Sequence, residues 1–232
     1  MKLSIKYKIF GPLVACAVVF GVAGFWYFQN RLEALQATFL RQMAEDKAAQ
    51  VRSGITGQAQ RALETAALFA RDPKVLEAYA VALSGDLNDE KDPRAQEARE
   101  MLRRALGPTL AGFKEITGDK LQLHYHLPNG RSLVRLWRDK QIQRDGVWQD
   151  VSDDISAFRS TVVEVNKTGK PVLGIELGRG GFAIRGVAPV RDAGGRQLGS
   201  VEMLAEFEPV LAAAASGRSE EHTSELQSRF GI

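Results

Sequence analysis

The stretch that decides the fold is Pro171–Phe207, PVLGIELGRGGFAIRGVAPVRDAGGRQLGSVEMLAEF. Its apolar residues come in short runs separated by two glycine-containing turns, a pattern typical of antiparallel strands. Glycine reaches positive φ without a Cβ clash, so it suits the tight turns between such strands. The pattern predicts three consecutive antiparallel strands, Val172–Leu177, Phe182–Val190 and Gln197–Phe207, joined by turns at Gly178–Gly181 and Asp192–Gly195.

Three charged residues lie among apolar neighbours in these strands: Glu176, Arg185 and Glu202. A charged side chain in a half-buried strand must be paired, face water or hold a ligand, because burial of an isolated charge is costly. These positions are therefore the first place to look for a binding site.

A hairpin is predicted upstream. Leu121–Leu127 reads LQLHYHL, so the leucines and Tyr125 alternate with His124 and His126. Pro-Asn-Gly-Arg at 128–131 is a hairpin turn signal, and Ser132–Trp137 returns with Arg135 and Trp137 on one face. Together with the three later strands this predicts a five-stranded antiparallel sheet.

The helices are predicted from apolar residues that recur every three, four or seven positions. Asp-Pro pairs at 72–73 and 92–93 are expected to start helices, with the aspartate as N-cap and proline at the first helical position. Gly107-Pro108 is expected to break a helix. We predict helices over 29–83 with a break at 72–73, then 94–106, 108–116 and, after a polar loop at 138–151 and a cap at 152–154, Ile155–Lys167.

The N-terminus predicts a membrane anchor. Ile9–Phe28 is 20 residues without a charge, follows Lys2, Lys6 and Lys8, and ends in four aromatic residues. About 20 helical residues cross a hydrocarbon core of ~30 Å, and lysines favour the cytoplasmic side. A cleaved signal peptide is the alternative, although its apolar core is usually only about 7–15 residues long.

Composition excludes several classes of protein. The chain has 232 residues, a formal charge of +3 and a single cysteine, Cys16. One cysteine allows no intramolecular disulfide. The lysines and arginines are scattered rather than gathered in a run, so nucleic-acid binding is not expected.

The C-terminal residues do not look native. Arg218–Ser228 reads RSEEHTSELQS, which matches the conceptual translation of a common short-read sequencing adapter. We therefore interpret residues 218–232 as a non-native tail and expect the natural protein to continue beyond Gly217.

Four segments carry a resemblance to a known family. They are LFARDPKVLEAYAVALSGDLNDEKDPRAQEAREMLRRAL, LQLHYHLPNGRSLVRLW, DDISAFRSTVVEVNKTGKPVLGIELGRGGFAIRGVAPV and GRQLGSVEM. Over about Ala66–Phe207 the chain resembles the Cache-type extracytoplasmic sensor domain of bacterial methyl-accepting chemotaxis proteins, and most closely the double sensory domain of two-component kinases. A double Cache has two sheets, whereas this sequence predicts one.

The resemblance implies a small-molecule pocket between the sheet and its capping segments. Arg135, Glu176 and Arg185 are the expected ligand-binding residues, since guanidinium groups bind carboxylates in a bidentate way. The expected pocket walls are Tyr125, His124, His126 and Trp137. The amino-acid-binding signature of the family has a tyrosine where Gly130 stands, so amino-acid binding is not carried over.

Simpler interpretations stay open for the same residues. Arg135, Glu176 and Arg185 can equally form a structural ion pair or face water. His124 and His126 are spaced to share a metal ion, but no third ligand is evident nearby in the sequence, so no metal and no cofactor is expected. No Ser-His-Asp or Cys-His arrangement is present with a supporting motif, and no enzyme is expected.

The sequence thus predicts an α+β protein: cytoplasmic residues 1–8, a transmembrane helix over 9–28, a long helical stalk with the helical part of the sensor over 29–118, and a PAS-like five-stranded antiparallel sheet with flanking helices over 119–210. We expect a homodimeric chemoreceptor sensor in the inner membrane, with the sensor in the periplasm and a small-molecule ligand. The alternatives are the sensor of a histidine kinase or nucleotide cyclase, or a membrane-anchored structural or adhesion module.

Overall fold

The computed structural model describes residues 5–178 and 181–215, with side chains from residue 10 onward. The central residues of the turn predicted at Gly178–Gly181, and the whole tail from Arg218, lie outside the described residues. The chain forms two compact units, Met1–Gln50 and Val51–Ile232.

Helix α1 runs over Ile5–Phe69 and accounts for all of the first unit that is described. Every side chain from residue 10 to residue 42 is exposed. Within the described ranges, this is the one helix that is long and apolar enough to cross a membrane, judged by length and composition alone. The predicted span Ile9–Phe28 lies inside it, and its placement across a membrane stays a prediction.

Within the described residues, the second unit contains the rest of α1, the helices α2, α3 and α4, and a helical stretch at 208–215. Helix α2 spans Pro73–Ala82 and α3 spans Pro93–Thr117. The Asp72 carboxylate accepts a hydrogen bond of 2.8 Å from the Lys74 amide, and Asp92 accepts bonds of 2.8 and 3.0 Å from the amides of residues 94 and 95. Both Asp-Pro pairs therefore start helices, as predicted, because each aspartate satisfies backbone N–H groups that the first turn leaves free.

The predicted break at Gly107-Pro108 is wrong, because α3 continues through both residues. Proline removes one backbone hydrogen bond from a helix interior. Leu102 and Leu106 are buried on one side of this site and Leu110 packs against the same core beyond it. Burial of this apolar stripe on both sides of the proline offsets the local loss.

The strands form a five-stranded, fully antiparallel sheet in the order β2-β1-β7-β6-β5, which confirms the predicted sheet. Two further short strands, β3 and β4, form a separate hairpin. The bounds are β1 Gln122–His126, β2 Ser132–Arg135, β3 Ile142–Arg144, β4 Val147–Gln149, β5 Val172–Gly178, β6 Gly181–Arg191 and β7 Gln197–Ala205.

The two faces of the sheet have different roles. Leu123, Tyr125 and Val201 point to the face that packs against α1, α2 and α3, where the main apolar core lies. Alternate residues of a strand point to opposite faces, so His124, His126 and Glu202 project to the other face. That face is covered by α4, which spans Ser160–Thr168 and contacts β5, β6 and β7.

Two local predictions need correction. The polar loop predicted at 138–151 contains the β3–β4 hairpin, which turns at Asp145-Gly146 with positive φ at both residues. The helix predicted at Ile155 begins instead at Ser160. The expected cap does not form, because the Asp153 side chain bonds to Arg135 and the Asp154 side chain accepts from the Ser156 amide.

Candidate functional site

Strand pairing brings most of the predicted site residues to one face. His124 of β1 lies opposite Glu202 of β7 on one side and opposite Arg135 of β2 on the other. His126 lies opposite Ser200. Directly opposed residues of antiparallel strands share a face, so the histidines and Arg135 project from the same face as Glu202.

Tyr125 does not lie with them. Its side chain is fully buried in the core on the opposite face of the sheet, edge-on to Tyr79 with ring centroids 6.2 Å apart. Its hydroxyl donates to the Phe69 carbonyl oxygen at 3.3 Å. Tyr125 therefore joins the sheet to the end of α1 and is not a wall of the site.

Glu202 is the centre of a buried polar cluster. Its Oε1 accepts a hydrogen bond of 2.8 Å from His124 Nδ1, and its Oε2 accepts one of 2.9 Å from Arg185 Nη1. None of these three side chains is more than 1% exposed. The hydrogen bonds and the nearby guanidinium compensate for burial of the carboxylate.

Protonation in this cluster follows from burial and charge. Burial, then His126 and Arg135, hold the pKa of His124 well below its usual value, so its ring is neutral at physiological pH. Burial alone raises the pKa of Glu202, but Arg185 and the hydrogen bond from His124 bring that pKa well below the ordinary range. The site therefore holds a neutral imidazole beside an ionised carboxylate.

Glu176 occupies a different position from the one expected of a ligand-binding residue. Its carboxylate accepts hydrogen bonds from Ser160 Oγ at 2.7 Å, from the Thr161 amide at 3.1 Å and from Thr161 Oγ1 at 2.9 Å. These groups form the first turn of α4, whose own N-cap residue makes no side-chain capping bond. Glu176 thus caps α4 from the neighbouring strand, where a negative charge is favourable.

Arg185 forms ion pairs with two buried or nearly buried carboxylates, which was one of the alternatives left open by the sequence. Its Nε lies 3.6 Å from Glu176 Oε2, and its Nη1 is bonded to Glu202. The guanidinium group therefore links β5 to β7 across β6, although it also lines the cavity described below.

Arg135 is also paired. Its guanidinium group donates to both carboxylate oxygens of Asp153, at 2.8 and 3.2 Å, and to the Gln141 carbonyl oxygen at 3.2 Å. This bidentate pair fastens the end of β2 to the segment before α4. Arg135 and Trp137 both line the cavity as well.

The cavity has a volume of about 630 Å³ and opens beside the buried cluster. Its lining combines guanidinium groups, amides, aromatic rings and two carboxylates. The residues that matter here are Arg135, Arg138, Arg159, Arg185, Trp137, Trp148, Phe158, Phe182, Phe207, Glu206 and Glu208. Cavities of roughly 300–1,000 Å³ are typical of small-molecule sites.

Arg159 is one of several cavity residues that were not predicted from the sequence. It is 7% exposed, and its Nε and Nη1 atoms donate no hydrogen bond to any residue in the described ranges. Its Nη1 lies 3.5 Å from Glu176 Oε2, and its guanidinium carbon lies 5.8 Å from the Phe158 ring centroid. Buried guanidinium N–H groups without hydrogen bonds are expensive and suit an added acceptor.

The sequence carried a signal for Glu202 but none for Arg159. Glu202 was visible as a charge inside an apolar strand, but its meeting with His124 depends on pairing between residues 78 positions apart. Arg159 fell inside the helix predicted from Ile155, where an arginine reads as a solvent-facing residue.

Residues 40–219 match the family described as the double sensory domain of two-component sensor kinase. No curated protein sequence matches. The structure describes one five-stranded sheet for this chain within residues 5–178 and 181–215.

Among solved structures, the Escherichia coli DcuS sensor domain is similar at 15% identity and a TM-score of 0.44, over 69% of this chain and 96% of that one. The Vibrio cholerae histidine kinase DctB sensor domain gives 13% identity and 0.49, over 75% and 59%. The ligand-binding domain of the Campylobacter jejuni chemoreceptor Tlp3 in complex with L-valine gives 14% and 0.45, over 75% and 60%. This chain thus spans about three fifths of the last two domains.

The family match covers most of the chain, including the whole sheet and all the residues of the polar cluster. It confirms the resemblance inferred from the sequence. The chain therefore belongs to the family of double sensory domains of two-component sensor kinases, and its strand-containing unit is an extracytoplasmic sensor domain of the Cache type.

Proposed function

We propose that this chain is the sensing part of a bacterial transmembrane receptor, and that it binds a small organic anion in the cavity beside β6 and β7. The observation that carries this proposal is Arg159, whose Nε and Nη1 atoms make no hydrogen bond to the described residues of a cavity that also contains Arg135, Arg138 and Arg185. A carboxylate or similar anion supplies the missing acceptors.

The rest of the lining indicates the shape of the ligand. The rings of Trp137 and Trp148 both lie within 6 Å of the Arg138 guanidinium carbon, at 5.6 and 5.7 Å, and line the same cavity. Phe182, which is 67% exposed, also lines this cavity. Aromatic walls favour a flat or apolar body, so we propose a ligand with one anionic end and an apolar part.

A route for the signal starts at the edge of the cavity. Phe207 and Glu208 line the cavity, and residues 208–215 are helical. Val210 of this helical stretch packs with Ala59 of α1 and Ile184 of β6. A ligand that contacts Phe207 or Glu208 would bias the position of this stretch against α1, and so shift a two-state equilibrium.

The arrangement in the cell follows as part of the proposal. Residues 9–28 cross the inner membrane, residues 29–118 form the stalk and the helical part of the sensor, and residues 119–210 form the Cache sheet in the periplasm. Two copies associate through their stalks. Single cysteines placed along residues 32–43 are expected to crosslink in pairs, and no crosslinking would contradict the dimer.

We propose that the receptor is a chemoreceptor, because the four quoted segments resemble the sensor domain of methyl-accepting chemotaxis proteins. The family description names two-component sensor kinases, which makes a histidine kinase the second candidate. Resequencing the gene beyond codon 217 separates the outputs: a long heptad-rich helical hairpin indicates a chemoreceptor, and a kinase or cyclase catalytic domain indicates one of the alternatives.

The test of ligand binding is a thermal-shift screen of the full chain in detergent against small organic acids, amino acids, amines and nucleobases. A ligand at 100 times its dissociation constant stabilises the folded state by about 2.7 kcal/mol. We expect hits among the organic acids and none among the amines. A well-folded protein with no hit in any class would favour a structural or adhesion module.

A further inference from the structure

His124, His126 and Glu202 meet at one point under α4. His124 Nδ1 lies 2.8 Å and His126 Nε2 lies 3.4 Å from the same oxygen, Glu202 Oε1. All three side chains are fully buried, and their three potential ligand atoms lie within 4.8 Å of one another. The His126 Nε2 atom is buried and makes no hydrogen bond to any described residue, although it faces the carboxylate.

The two distances to Glu202 Oε1 are close to those between the ligand atoms of a metal site. Ligand atoms about 2.0–2.1 Å from a tetrahedral Zn²⁺ are separated from each other by roughly 3.3 Å. The distance of 3.4 Å between His126 Nε2 and Glu202 Oε1 meets that value, and the 2.8 Å contact of His124 would have to lengthen by about half an ångström.

The second polar atom of each of these three side chains also has a hydrogen-bond partner. The second ring nitrogen of His124, Nε2, lies 2.7 Å from Ser132 Oγ, and the second ring nitrogen of His126, Nδ1, lies 3.1 Å from Ser200 Oγ. Glu202 Oε2 accepts from Arg185. Outer partners of this kind fix the orientation of metal-binding imidazoles and carboxylates.

We propose that His124, His126 and Glu202 form a binding site for a first-row divalent transition-metal ion, with Zn²⁺ as the reference ion. Two imidazoles and one carboxylate are ligands that Zn²⁺ accepts, and three protein ligands leave a fourth position for water or another ligand. The inference is independent of the proposed anionic ligand.

The two nearby guanidinium groups oppose a cation and set its affinity. Arg159 Nη2 lies 3.9 Å from Glu202 Oε1, the oxygen that faces both histidines, whereas Arg185 is bonded to the other oxygen. Glu176 lies 3.5 and 3.6 Å from these two arginines and offsets part of their charge. Removal of the Arg159 charge should therefore tighten metal binding.

The experiment uses the full chain in detergent with Co²⁺ as a visible probe. The sequence has three histidines and one cysteine, so a background of Cys16→Ser and His222→Gln leaves His124 and His126 as its only imidazole or thiol ligands. We expect one Co²⁺ per chain with ligand-field absorption, both in the unmodified chain and in this background, and displacement by Zn²⁺.

Three variants locate the site. His126→Gln should weaken Co²⁺ binding by more than about 100-fold, beyond the 10–100-fold effect of an outer partner, and Ser200→Ala should weaken it by roughly tenfold. Arg159→Gln should tighten Co²⁺ binding by about tenfold and weaken binding of the organic anion. These opposite effects separate failure of the metal site from failure of the proposed function.

Two results would overturn the metal site. One is the absence of stoichiometric Co²⁺ uptake both by the folded chain and by the chain refolded from denaturant with Co²⁺ present, since refolding removes any barrier due to burial. The other is uptake that His126→Gln leaves unchanged while circular dichroism shows that the variant is folded.

Discussion

Gly186→Ala tests how closely α1 is packed against the sheet. Gly186 lies on β6, on the face that meets the helices, and a Cβ atom there would overlap the Leu63 backbone nitrogen and Cα and lie 2.5 Å from the Ala62 carbonyl carbon. Because these are backbone atoms of α1, no side chain can rotate away. Carbon atoms need about 3.5 Å, so α1 must move by roughly 1 Å or more.

Overpacking of a close contact costs about 1–3 kcal/mol and occasionally more. We expect the upper end, about 3 kcal/mol, because rigid backbone must shift. For a unit of this size that corresponds to a fall in Tm of about 6–12 °C. The assay is chemical and thermal denaturation of the full chain in detergent, followed by circular dichroism.

Gly112→Ala in α3 is the matched control. An added Cβ at Gly112 meets nothing within 4 Å, and the residue lies in a helix interior, so the variant should gain about 0.5–1 kcal/mol. If Gly186→Ala changed the free energy of unfolding by less than about 0.5 kcal/mol, the close approach of α1 to β6 would be refuted.

Three further variants probe the polar contacts that hold the cavity in place. Asp153→Asn removes the carboxylate partner of the buried Arg135 and should lower the free energy of unfolding by about 3–5 kcal/mol in urea titrations. The control Asp192→Asn, whose partner Arg196 is 77% exposed, should lower it by less than about 1 kcal/mol. Equal losses would contradict a buried ion pair between Arg135 and Asp153. Glu176→Gln weakens the cap of α4 and should cost about 1–2 kcal/mol, and an unchanged unfolding midpoint would show that α4 does not need it. Asp150→Asn should cost about 2 kcal/mol at neutral pH, because the carboxylate is bonded to Arg103 at 2.7 and 2.8 Å. Although burial raises the pKa of Asp150, its bonds to Arg103 and Gln96 lower it below the usual value, so this stabilisation should disappear as the pH falls below about 3.9; a loss that persists in acid would argue against it.

The order of elements could be predicted because local patterns carry it. Alternation along Leu121–Leu127, and short apolar runs between turn signals further on, identified all five strands of the main sheet, and the two Asp-Pro pairs placed the starts of α2 and α3. Asp145-Gly146 was a readable hairpin signal of the same local kind, and its neglect concealed β3 and β4.

The errors arose where distant contacts decide local structure. Pro108 stays inside α3 because leucines on either side of it pack against the apolar core shared by the helices and the sheet. Asp153 was predicted to cap a helix, but its carboxylate accepts hydrogen bonds from Arg135 of β2 instead. Both outcomes depend on contacts with residues that are distant along the chain.

The candidate site could be predicted only in part for the same reason. His124, Arg135 and Arg185 do reach one face of the sheet, but the sequence could not show that Glu202 is the residue between them. Tyr125 was assigned to the site although alternation along β1 sets it opposite His124. The register of β1 with β7 is a contact between strands far apart in the chain, and no local pattern contains it.

The most direct test of the account is an isothermal titration of the best organic acid from the screen into three forms of the full chain: wild type, Arg159→Gln and Arg196→Gln. Arg196 serves as the control because its side chain is 77% exposed and is therefore mostly in contact with water. We expect one site per chain, at least tenfold weaker binding in Arg159→Gln, and unchanged binding in Arg196→Gln. Equal affinity of Arg159→Gln and wild type would contradict an anion site at this cavity.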